Sequence, residues 1–175
     1  MKLKFFICLI SSVFLVSCAS QVQQTKFYVL PYLPLENRQT ADLNIDINLA
    51  EYLKQDFMVI ENQESELTFA QNHRWAEPLE QLITRYLSKR ILSAQPENLL
   101  TQTQLEVNIE RFYGSVSGQV YLSGYWQWQA QPEKADQRHY FDLKAKQSGP
   151  GYKNYVETSA GLLNKLAGQI VEYKL

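Results

Sequence analysis

Cysteine and histidine are scarce in this chain of 175 residues, which has two of each, at Cys8, Cys18, His73 and His139. Both cysteines lie near the N-terminus. The remaining length therefore offers no disulfide, and the fold must stand on its hydrophobic core. The histidines are 66 positions apart with no cysteine beside them, which excludes the ligand spacings of common zinc sites; no metal and no cofactor is expected. The seven glycines build no phosphate-cradling loop. Gly114-x-x-x-Gly118 is not followed by Lys and Ser or Thr, and there is neither a glycine-flanked serine nor a dinucleotide fingerprint. With 17 basic against 18 acidic residues, bulk charge supports binding neither to nucleic acid nor to anionic lipid. No apolar run reaches the roughly 20 residues of a membrane-crossing helix.

The sequence begins with a leader. Lys2 and Lys4 precede an apolar run over residues 5–16 broken only by Ser11 and Ser12, the charged-then-hydrophobic layout of a secretory signal. The run ends Leu15-Val16-Ser17-Cys18, which has the form of a bacterial lipobox: a branched apolar residue, two small or modest residues, then a cysteine. The apolar run would hold the thiol at the bilayer surface, where its small neighbours admit it to an acyl-transfer site. Residues 1–17 are therefore expected to be a signal peptide, residues 18–25 a tether lipidated at Cys18, and residues 26–175 a single domain. Cys8 would leave with the leader. Loss of Lys2 and Lys4 would leave 15 basic against 18 acidic residues, a charge of −3. Ala19 after the cysteine, in place of an inner-membrane-retaining Asp, predicts residence on the periplasmic leaflet of the outer membrane.

Beyond the tether the hydrophobic period alternates between two values. Residues 26–30 read as a strand stopped by Pro31 and Pro34. Leu43, Ile45, Ile47 and Leu49 alternate with polar residues in a half-buried strand. Residues 56–60 and 66–70 read as a hairpin. From Trp75 the spacing of Leu79, Leu82, Ile83, Tyr86 and Leu87 becomes helical, and a helix is predicted over 75–93 with Pro78 in its first turn. Three alternating strands follow between 105 and 145, with turns at 114–118 and 131–137. After Gly149-Pro150-Gly151 a last helix runs to about residue 171, and its Ser159, Ala160 and Ala167 suit close approach to a sheet. The order implies an α+β fold, a mostly antiparallel sheet with two helices packed on one face.

Chemistry-bearing residues do not gather along this chain. Asp46, Glu106, Glu110 and Asp142 fall on wet strand faces, where solvated carboxylates are the ordinary outcome, and no nucleophile is paired with a base; an enzyme is not expected. Aromatic side chains are the stronger signal. Trp126 and Trp128 share a parity with Val120 and Leu122 and belong to the core, whereas Tyr121, Tyr125 and Tyr140 fall on the other parity. Large rigid side chains on an open sheet face favour an interface, so these three tyrosines are the candidate interaction residues.

Arg74-Trp75-Ala76-Glu77-Pro78-Leu79 resembles the helix start of the ABC-type transport auxiliary lipoprotein family. Supporting matches are Phe27-Tyr28-Val29-Leu30, Ile47-Asn48-Leu49-Ala50-Glu51-Tyr52-Leu53 followed by Asp56-Phe57-Met58-Val59-Ile60, and Gly124-Tyr125-Trp126. With the lipobox they span nearly the whole chain in order, although Ala50 stands where the family often has proline. The resemblance implies a non-catalytic accessory lipoprotein of an MCE-type lipid transport system. It would dock the end of an MCE-domain tunnel protein at the outer membrane, alongside an integral membrane partner, and would itself form a homo-oligomeric ring. The alternative from a different class is a stand-alone lipid carrier holding an acyl chain between helix and sheet; a periplasmic hydrolase comes third.

Overall fold

The computed structural model describes residues 23–34, 43–63, 65–94, 104–129 and 138–174. The leader, Cys18, Ala19, the turn expected at 131–137 and Pro96 lie outside the described residues. Among the described residues seven strands and two long helices follow in the order β1 (Lys26–Tyr28), β2 (Asn44–Leu49), a 3-10 turn (Glu51–Leu53), β3 (Phe57–Glu61), β4 (Leu67–Trp75), α1 (Leu79–Ala94), β5 (Gln104–Ser115), β6 (Gln119–Gln129), β7 (His139–Lys146) and α2 (Tyr152–Lys174).

The strands form one sheet in the order β1-β4-β3-β5-β6-β7, with β2 also paired to β5. It is mixed, which corrects the expectation of a mostly antiparallel sheet. β1 runs parallel to β4, and β2 and β3 both run parallel to β5; the β3–β4, β5–β6 and β6–β7 pairs are antiparallel. The cause is the return path. A parallel neighbour needs a crossover of about a dozen residues or more, and β4 with α1 supplies it between β3 and β5. β2 and β3 lie end to end along the same side of β5, against residues 104–109 and 114–115, interrupted by the 3-10 turn. Ala50, before that turn, has φ −53°, a value that proline would fix. Its N–H, which proline would lack, donates to the Ile109 carbonyl at 2.9 Å.

Alternation then decides burial. Ile45, Ile47, Leu105, Val107 and Ile109 are buried while Asn44, Asp46 and Asn48 are exposed. The two helices cover the apolar side: the Tyr86 hydroxyl of α1 donates to Asn164 Oδ1 of α2 at 2.9 Å, and α2 sets Tyr155 against Trp75 and Tyr173 against Trp126. Ser159, Ala160 and Ala167 of α2 are buried. The sheet approaches α2 closely at Gly114, where an added Cβ would sit 3.1 Å from the Tyr155 ring.

The N-terminus of α1 is Leu79, not Trp75. The Trp75 N–H donates to the Asp56 carbonyl at 2.7 Å and the residue pairs in register with Tyr28, so it closes β4. A helix cannot easily run back through Pro78, because proline disfavours the helical conformation of the residue before it. Trp75 is nonetheless almost fully buried, because the end of β4 points to the helix-covered face.

Candidate interaction face

The sheet face away from the helices is organised by one irregularity. The pairing of β5 with β6 shifts between Ile109 and Arg111, leaving Glu110 as a bulge opposite Gly124. A bulge inserts one residue and reverses the alternation beyond it. Before it Leu105, Val107 and Ile109 point into the core; after it Phe112 and Gly114 do, turning Arg111 and Tyr113 to the side away from the helices, where Arg111 is half-buried and Tyr113, at 7% exposed, is buried among its neighbours. Gly124 is required here, since a Cβ would lie 1.9 Å from the Asn108 carbonyl oxygen. The Tyr52 hydroxyl, from the 3-10 turn, donates to the Glu110 carbonyl at 2.8 Å and holds the bulge. Burial is the main cause pushing the Tyr52 phenol up to about 12.

Three rungs cross the open face. Tyr113 stands opposite Tyr121, with ring centroids 5.5 Å apart, and Tyr121 opposite Lys144. Arg111, Ser123 and Asp142 form the middle rung: the Arg111 Nε donates to Ser123 Oγ and its Nη2 to Asp142 Oδ1, both at 2.7 Å. The same guanidinium lies 5.7 Å from the Tyr121 ring. On the third rung Tyr125 and Tyr140 are directly opposed, 5.8 Å between rings, with the Arg138 guanidinium 4.7 Å over Tyr125. Of the three tyrosines singled out from the sequence, Tyr140 is 75% exposed. Tyr121 and Tyr125 are half-buried, each shielded on one side by its cross-strand neighbour.

A second aromatic group on this face was not anticipated. Phe27, Arg74 and Phe57 form a rung across β1, β4 and β3; Arg74 lies 4.3 Å over the Phe57 ring and pairs with Asp56 at 3.2 Å, and Phe57 meets Phe69 edge-on at 6.2 Å. Phe27 is 63% exposed. No spacing within the sequence brings these residues together, because β1 and β3 reach β4 from opposite sides.

The polar residues on the face are tied to one another. Glu106 accepts from Gln127 Nε2 at 2.6 Å and Asn108 Nδ2 at 2.8 Å, and Asp142 is held by Arg111. The histidines act as aromatic plates: His73 stacks on Tyr152 at 3.7 Å with its Nδ1 2.8 Å from the Tyr28 hydroxyl, and His139 stacks on Trp126 at 4.3 Å. Glu77, spaced to meet His73 on a helix, instead takes both guanidinium nitrogens of Arg85 at 2.9 Å; that hydrogen bonding holds its carboxyl below the usual range. Among the described residues no three His, Cys, Asp or Glu side chains converge as a metal site would need, and no described helix is long and apolar enough to cross a membrane.

Comparison with known proteins places this geometry. Residues 34–171 match the family described as ABC-type transport auxiliary lipoprotein component. The chain is 24% identical to the intermembrane transport lipoprotein PqiC of Escherichia coli strain K12, covering 97% of each chain, and equally to that of Shigella flexneri. An uncharacterized protein of known crystal structure superposes with a TM-score of 0.73 at 23% identity, over 86% of this chain and 98% of that one. Protein XCC0632 from Xanthomonas campestris does so with a TM-score of 0.65 at 10% identity, over 83% and 92%. These two structures share the fold.

Proposed function

The chain belongs to the ABC-type transport auxiliary lipoprotein family, and from that premise we propose that it is a non-catalytic docking and assembly subunit of an MCE-type intermembrane phospholipid transport system. Cys18, acylated and left as the first residue once residues 1–17 are removed, anchors it to the periplasmic leaflet of the outer membrane. Anchoring of this kind takes two or more acyl chains, each buried methylene contributing about 0.8 kcal/mol. The domain then presents its open sheet face to an MCE-domain tunnel protein or to further copies of itself in a ring.

The observation that carries this reading is the open face itself. Its aromatic rings are pre-positioned by cross-strand partners, so little side-chain entropy is lost on contact, and its cations at Arg111 and Arg138 are seated against those rings. Aromatic and arginine side chains of this kind dominate binding energy at protein interfaces. The test is Tyr125→Ala with Tyr140→Ala in the full-length lipoprotein. Co-purification with its MCE partner or its own oligomerisation should fall at least about tenfold, as expected when interface anchors are truncated, with the melting temperature nearly unchanged. Full retention of both would exclude this face.

A further inference from the structure

Pro31 and Pro34 keep the segment after β1 out of both neighbouring elements. β1 ends at Tyr28 because its partner β4 ends at Trp75, and proline neither donates to a sheet nor continues into a helix. The segment therefore crosses over α1, and between the two lies a groove of about 340 Å³. Leu30, Leu33, Leu82 and Tyr86 provide its apolar walls, with Leu82 and Tyr86 buried. Arg85 and Lys89, one helical turn apart on the same stripe of α1, add cations to the lining. Val29 and Tyr32, 54% and 80% exposed, also line it.

The two cations are not equivalent. Arg85 is engaged by Glu77, while the Lys89 ammonium sits 4.4 Å over the Tyr32 ring and belongs to none of the ion pairs among the described residues. An apolar cleft with an uncompensated cation beside it matches an amphiphile with an anionic head. Its size is at the small end of the roughly 300–1,000 Å³ of small-molecule sites, which suits one chain of a lipid and not two. Location names the source. Val29 follows Cys18 by 11 residues, at most about 40 Å of extended chain, so a protein anchored at Cys18 holds this groove within reach of the bilayer.

We propose that the groove takes one acyl chain of an anionic phospholipid, with the phosphate against Lys89. Supply of that lipid from the membrane rests on the anchored lipoprotein reading above; the groove's capacity to bind it does not. The test places the full-length protein in vesicles of phosphatidylcholine with a minor fraction of phosphatidylglycerol carrying a photoreactive group near the end of one acyl chain, and maps the labelled residues by mass spectrometry. Labelling is expected on Leu33, Leu82 and Tyr86. Lys89→Glu should reduce it about fivefold, as expected from reversing one surface charge, and Leu33→Trp should abolish it by filling the mouth, with the melting temperature retained in each. The same mapping with Cys18→Ser protein and a short-chain phosphatidylglycerol below its micelle concentration separates the two ideas. Groove labelling there, with native protein that fails to stay on vesicles, would uphold the groove and refute the anchor. Labelling confined to residues outside the groove, such as the exposed Phe27 and Tyr140, or unmoved by both groove variants, would overturn the groove as a lipid site.

Discussion

Trp75→Ala is the perturbation whose effect follows most directly from the packing. The indole is 2% exposed, stacks near Phe112 with centroids 6.0 Å apart and meets Tyr155 of α2 at 6.1 Å, so it joins the end of β4, the centre of β5 and the second helix. Truncating a buried tryptophan to alanine costs about 3–5 kcal/mol, against a total of about 5–15 kcal/mol for a domain. For a domain of about 150 residues each kcal/mol lowers the melting temperature by roughly 2–4 °C, giving an expected fall of about 6–20 °C. Since its backbone N–H and not its ring holds β4 to Asp56, Trp75→Phe should recover much of that loss. The assay is thermal unfolding of the detergent-solubilised lipoprotein followed by far-ultraviolet circular dichroism. An unchanged melting temperature together with loss of self-assembly would refute the argument and make Trp75 an interface residue.

Gly124→Ala should cost about 2–6 kcal/mol, combining backbone strain with overpacking against Asn108; a melting temperature equal to that of the parent protein would show that the bulge does not need glycine. Cys18→Ser should leave an uncleaved or soluble product in cell fractionation, and Ala19→Asp should shift the anchored protein from outer- to inner-membrane fractions in a density gradient; either variant behaving as the parent protein would count against the sorting expectation. Burial raises the Tyr52 phenol from its ordinary value near 10 to about 12 and drives Tyr155 further in the same direction. Because the folded state favours the neutral phenols, their contribution is fully present below pH 10 and is lost as pH rises through the folded-state values. Tyrosinate absorbance should therefore show a late phase coincident with unfolding, whereas all eleven tyrosines titrating as one set in a folded protein would contradict it.

Strand and helix positions were legible because periodicity reports which side of an element meets apolar neighbours, and that is local information. Leu105, Val107 and Ile109 declared a buried face, as did the stripe of Leu82, Ile83 and Tyr86, and the family could be identified from short motifs around Trp75 and Tyr125. The parity of Tyr121, Tyr125 and Tyr140 likewise put them on the face away from the core. What lies alongside each strand was not legible. An alternating strand looks the same whether its neighbour runs parallel or antiparallel, so the β1–β4 and β2–β5 pairs had no signature. Trp75 fitted both a helical stripe and a strand end until its N–H found the Asp56 carbonyl. Tertiary structure alone set the bulge at Glu110, which turns Arg111 and Tyr113 to the side away from the helices, and the seating on α1 of residues 29–33, whose prolines announced only that β1 had ended. The bulge depends on the Tyr52 hydroxyl and the seating on packing against Leu82 and Tyr86, partners tens of residues away, and the order of residues along the chain encodes burial more strongly than it encodes those partners.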